Sequence, residues 1–131
     1  MDEVIVSPMV HLAAGVGVLL TSLGALAVTG QGVRVHRAFG RPEHAALVLA
    51  QLALLVQALV GIKLLDQGFG TVQKYVHYLG GVGALSLLLL NHWLPPLPPQ
   101  AQTRRALLLT ALSFAFVALS FGVGQMYVRG G

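Results

Sequence analysis

The chain has no cysteine. That absence excludes disulfides, thiolate metal sites, iron–sulfur clusters and covalent attachment of a c-type haem. Charge is the second scarcity: 8 Lys and Arg with 4 Asp and Glu make 9% of the 131 residues, against 56% hydrophobic. A soluble domain carries roughly 25% charged residues. So few charges cannot cover a water-facing surface, and lipid must do much of the covering. The four acids, Asp2, Glu3, Glu43 and Asp66, all lie outside the long apolar runs, which argues against a proton-driven transporter with a central carboxylate. No nucleophile–base constellation, phosphate loop or carboxylate pair is present. Met1-Asp2-Glu3 lacks the basic region of a secretory signal, so the first apolar run reads as retained.

What the chain does have is long apolar runs. Four of them, approximately Val10–Val28, Ala45–Leu65, Tyr75–Leu94 and Ala106–Val128, are long enough for a bilayer core that takes about 20 helical residues to cross. The expected fold is all-α, one integral membrane domain over residues 1–131, a four-helix bundle. Ser7-Pro8 reads as an N-cap with proline at the first helical position, and Gly30 and Gly32 as the end of helix one. Pro42 begins helix two, and Asp66-Gln67-Gly68-Phe69-Gly70 is a tight turn. Thr71 and Thr103 are candidate caps for helices three and four, and Pro95-Pro96-Leu97-Pro98-Pro99 is an extended connector. Arg34, Arg37, Arg41, Arg104 and Arg105 fall on one side, with Lys63, Lys74 and Arg129 on the other. This positive-inside bias places both termini outside the cytoplasm of a prokaryotic cytoplasmic membrane. The pI near 10.1 is thus a topology signal, and no nucleic-acid partner is implied.

The eight residues Val10-His11-Leu12-Ala13-Ala14-Gly15-Val16-Gly17 return 66 positions later as Val76-His77-Tyr78-Leu79-Gly80-Gly81-Val82-Gly83, five of them identical. Each copy opens an apolar run, which gives two parallel two-helix repeats, approximately 8–66 and 73–131, about an axis along the membrane normal. The repeat sets His11 and His77 at equivalent points, able to face each other near the outer surface. Intramembrane ionisable residues are costly and functional by default, and two neutral imidazoles complete the axial positions of a b-type haem iron. Gly15 and Gly81, four residues on, share a face with their histidines and let a flat macrocycle approach the backbone. Gly17, Gly80 and Gly83 widen the same groove. Against this stands ordinary small-residue helix packing.

His44 and His92 form a second possible pair at the cytoplasmic level. His77 and His92 are 15 residues apart, a rise of about 22 Å with about 60° between them around the helix. That spacing allows a second stacked haem, although neither His44 nor His92 has a repeat partner. His36, among arginines, reads as solvated. Gln51 and Gln57 lie on opposed faces of helix two and so belong to no common site. Ser86, Thr110, Ser113 and Ser120 can bond back to the backbone or across to neighbours. Lys63, Asp66, Gln67 and Lys74 gather at the outer end, either as a quinone or haem-propionate pocket or as a snorkelling boundary.

Leu55-Val56-Gln57-Ala58-Leu59-Val60-Gly61, a short turn, and then Val76-His77 followed by small and apolar residues resemble one half of haem A synthase. The likeness, over roughly residues 8–94, extends to four-helix b-type cytochromes. It implies a haem-holding bundle with ligands at His11 and His77. The family's arginine after the first histidine is Leu12 here, so synthase catalysis is not implied. The expected function is therefore a membrane cytochrome with one haem b, or two if His44 and His92 also bind. It would transfer single electrons with a quinone or extracytoplasmic redox partner, rather than act as a stand-alone enzyme. The alternatives are an accessory or assembly subunit of a larger complex or an oligomer, and a small transporter or metal carrier using the same histidines.

Overall fold

The computed structural model describes residues 7–67 and 74–130, with side chains other than those of 8, 64–66, 74–76 and 123–130. Four helices follow one another: α1 (Pro8–Arg34), α2 (Arg41–Asp66), α3 (Lys74–Trp93) and α4 (Pro99–Gly130). No strand occurs among the described residues. Three stretches, Met9–Arg34, Arg41–Lys63 and Pro99–Gly122, are long and apolar enough to cross a membrane.

The helix ends follow local chemistry. Ser7 caps α1, its hydroxyl accepting from the Met9 amide at 3.1 Å with Pro8 in the first turn. At the other end Gly30 and Gly32 do not stop the helix, as the sequence led us to expect. It runs on to Arg34, and the His36 amide then donates to Val33 and the Arg37 amide to Gly32. These are the two hydrogen bonds of a Schellman termination. His36 fills the left-handed position, φ 54°, where glycine has no Cβ penalty. We therefore expect His36→Gly to stabilise the protein by about 0.5–1 kcal/mol. A raised Tm in detergent would show it, and an unchanged Tm would mean the imidazole earns its place there.

Gly32 instead faces inward, where an added Cβ would lie 2.9 Å from a Glu43 carboxylate oxygen. Glu43 is fully buried. Its carboxylate accepts from the Gly40 amide at 3.0 Å and pairs with Arg37 at 2.6 Å. The first of these contacts is one arm of a capping box for α2. Arg37 also reaches the Val28 carbonyl, and its own carbonyl accepts from Thr103. One clasp thus ties α1, α2 and α4 at the basic end. Thr103 is not the cap of α4, which starts four residues earlier at Pro99. Glu43→Gln removes the charge from this pair and should cost about 1–3 kcal/mol, read as a lowered Tm.

Leu47, Leu54, Leu88 and Val117 are buried, yet many large apolar side chains face outward. Leu20, Leu49, Leu52, Leu59, Ile62, Leu79 and Leu108 are exposed, whereas Ala25, Ala50, Ala84 and Ala106 are buried with Ser22, Thr29, Thr110, Ser113 and Ser120. With lipid as solvent, large apolar side chains gain little from facing inward. Small residues instead allow close backbone approach. The seam of α3 with α4 shows this most clearly. A Cβ on Gly80 would sit 2.8 Å from the Ser120 Cβ, Gly83 lies against the Phe116 ring, and Ser113 donates to the Ala84 carbonyl at 2.8 Å. Gly80 and Gly83 therefore pack helices and do not widen a ligand groove. Helices α1 and α2 form the other close pair, α1 also packs on α4, and α2 meets α3 only sparsely.

Lys63 lies within α2. Thr71, Gly68-Phe69-Gly70 and the side chains of Asp66, Lys74, Tyr75, Tyr127 and Arg129 fall outside what the structure describes.

Candidate functional site

A cavity of about 280 Å³ lies in the half of the bundle that holds the start of α1. Every helix contributes: His11 and Gly15 from α1, Gln57 and Gly61 from α2, His77 and Gly81 from α3, Ser120 and Phe121 from α4. Apart from the two histidines, Gln57, Tyr78 and Ser120, its walls carry no polar side chain among the described residues.

His11 and His77 meet here, their ring centres 5.9 Å apart and their planes at 70°. The repeat led us to expect that encounter. The two imidazoles are held differently. His77 Nδ1 lies 2.7 Å from the Ser120 carbonyl, and the Ser120 hydroxyl donates to the His77 carbonyl at 2.7 Å. A carbonyl only accepts, so His77 Nδ1 carries a proton, which in a neutral ring leaves the lone pair on Nε2. Ser120 thereby fixes both the tautomer and the angle of the ring. His11 leans on Gly61, where a Cβ would come within 3.3 Å of its Cε1, and meets the Gln57 amide through Nε2 at 3.3 Å. Its Nδ1 and the Gln57 Oε1 are both buried without a hydrogen-bond partner. Leaving such groups unpaired costs about 1–3 kcal/mol each.

The glycines divide by role. An added Cβ on Gly81 would meet nothing within 4 Å, so this position is open cavity wall. At Gly15 it would come within 3.3 Å of Gln57 and Phe121. Gly15 thus lines the cavity and also seats two of its neighbours. Gly17 also faces open space, though it is not part of the lining.

At the other end of the bundle His44 and His92 also come together, with ring centres 6.0 Å apart and planes at 89°. Gln51 lies 3.1 Å from His92 Nε2. The two glutamines of α2 thus serve separate histidine pairs, as their opposed faces require. Among the described residues no group of three or more His, Cys, Asp or Glu converges as a metal cage would need. What the fold offers is paired imidazoles.

Sequence reasoning passed over Ser120 as a partner of His77, since its decisive group is a main-chain carbonyl with no residue signature. Gln57 could have been found, because it precedes Gly61 by one helical turn and both face His11. No protein-family model, curated protein or solved structure matches this chain.

Proposed function

We propose that the protein is a b-type membrane cytochrome that holds one haem between His11 and His77 and passes single electrons to or from a quinone or extracytoplasmic redox partner. The observation that carries this reading is the geometry of the pair. With metal–nitrogen bonds of about 2.0–2.1 Å, two trans imidazoles have ring centres about 6.4 Å apart. The observed 5.9 Å is within about half an ångström of that value. The donor set fits too. Ser120 accepts from the nitrogen of His77 that would not bind metal, the support a ligating histidine ordinarily receives from a carbonyl. The unpartnered His11 Nδ1 and Gln57 Oε1 mark where the site is incomplete alone. At about 280 Å³ the cavity falls below the roughly 300–1,000 Å³ of ligand pockets, so it must widen to admit a haem macrocycle. The sparse α2–α3 side is where it can widen.

Bound iron would supply the one-electron couple. The chain's own part is to present two neutral imidazoles, hold His77 rigid through Ser120, and keep water out with Val18, Leu54, Leu85 and Val117. The same reading takes α3 as a fourth crossing. Its 20 residues rise about 30 Å, the thickness of the hydrocarbon core. It also takes the α1–α2 and α3–α4 pairs as parallel repeats and puts the termini on the extracytoplasmic face of a cytoplasmic membrane. A Soret band with low-spin bis-imidazole features in the purified protein is the expected result. A colourless protein that takes up no added haem would defeat the reading.

Ser120→Ala supplies a finer test. It deletes the hydroxyl bond to the His77 carbonyl but keeps the main-chain acceptor of Nδ1, so haem should stay bound while the midpoint potential shifts. Loss of a neutral hydrogen bond of this kind costs about 0.5–1.5 kcal/mol.

A further inference from the structure

We infer that His44 and His92 form a second metal centre at the opposite end of the bundle, independent of the first cavity. Their ring centres stand 6.0 Å apart. Imidazoles bound to one metal have centres about 5.2 Å apart when tetrahedral and about 6.4 Å when trans, given bonds of about 2.0–2.1 Å. The observed separation lies between those limits, so a single ion can bridge the rings with only side-chain adjustment.

Gln51 positions one ring of the pair. Its amide nitrogen points toward the Leu88 carbonyl at 3.5 Å, which orients the –NH2 group, and the same nitrogen lies 3.1 Å from His92 Nε2. An N–H meeting an imidazole nitrogen requires a lone pair there. An unprotonated Nε2 is the form that binds metal, so a bound ion would take the place of this amide contact. Both histidines are exposed, whereas His11 and His77 line a largely apolar cavity. The second centre therefore faces the water or headgroup layer and exchanges its metal freely.

The ligand chemistry is a borderline transition-metal ion that favours nitrogen donors, arriving either as a free divalent ion or as the iron of a porphyrin. Arg41, one turn before His44, repels a bare dication and attracts the carboxylates of a porphyrin, so the experiment carries an arm for each source. Two centres on α3 separated by 15 residues would stand about 22 Å apart along the membrane normal, one near each face.

The test uses the whole chain, purified in detergent without a histidine tag. In the first arm Cu²⁺ alone is titrated and followed by electron paramagnetic resonance. Nitrogen couplings from two imidazoles are expected, with affinity falling at least about tenfold in His44→Ala and in His92→Ala and by less in Gln51→Ala. In the second arm haem is measured per protein, and a ratio of two should fall to one in either histidine variant. A positive result in either arm supports the centre and names its source. His36→Ala should leave both readouts at the parent value, while the double variant His11→Ala/His77→Ala should lose only the haem and copper of the first cavity and keep those of His44 and His92, which separates failure of this proposal from failure of the first. If copper binding and haem content are the same in His44→Ala/His92→Ala as in the parent, or if all bound copper and haem are lost in His11→Ala/His77→Ala, the second centre does not exist. Both residues are exposed, so these variants should fold.

Discussion

His77→Ala is expected to eliminate the low-spin six-coordinate haem spectrum, and His11→Ala to do the same, while His36→Ala leaves it intact. The two losses should differ in kind. His77 is locked through Nδ1 to the Ser120 carbonyl at 2.7 Å, whereas His11 is held by a 3.3 Å amide contact and the surface of Gly61. His77 is thus the preorganised ligand and His11 the adaptable one. Removing His11 should leave five-coordinate, high-spin haem on His77 that binds carbon monoxide. Removing His77 takes away the rigid ligand, and haem content should fall at least about tenfold, which is about 1.4 kcal/mol of affinity. Exogenous imidazole should restore a six-coordinate spectrum to His11→Ala more readily than to His77→Ala. If both variants keep the parent spectrum, the iron is not bound here. If His11→Ala loses haem and His77→Ala keeps it, the assigned order of rigidity is reversed.

Particular residues show what could be read from the sequence and what could not. Four helical runs were legible because hydropathy reports on lipid directly, and all four are helices. The meeting of His11 with His77 was legible because the same motif opens both apolar runs, which led us to expect the two histidines at equivalent positions. Gln51 and Gln57 were separable from spacing alone, since six residues turn a helix through about 600°. The glycines were harder. Gly80, Gly81 and Gly83 are indistinguishable in sequence, yet Gly80 and Gly83 pack against α4 while Gly81 opens on the cavity. That difference is set by rotation of α3 against α4, which no local pattern encodes. Gly32 and Thr103 looked like helix ends and proved to be contacts of the Glu43–Arg37 clasp. A tertiary ion pair gave those small residues their purpose. The encounter of His44 with His92 also came from tertiary structure, because neither has a counterpart in the repeat.

Gly81→Leu should block cofactor uptake at little cost to the fold, whereas Gly24→Leu should be silent. Both glycines have open space where a Cβ would go, so neither substitution meets a wall. Both also replace the poorest ordinary helix former with one of the best, a gain of about 1 kcal/mol in helix propensity. They differ only in where the new side chain lands. Gly81 lines the cavity beside His77, and a leucine there takes part of a space of about 280 Å³. Gly24 is exposed on the outer face of α1, where leucine meets lipid. Gly15→Leu is the weaker test, because its Cβ already crowds Gln57 and Phe121 at 3.3 Å and the substitution would disturb helix packing as well. The measurement is haem bound per protein at fixed haem concentration, with Tm recorded on the same samples. A drop of about tenfold or more for Gly81→Leu at unchanged or raised Tm, with Gly24→Leu at the parent value, identifies the cavity as the haem site. Equal haem content in the two variants would leave Gly81 as an unfilled gap between helices and move the cofactor elsewhere.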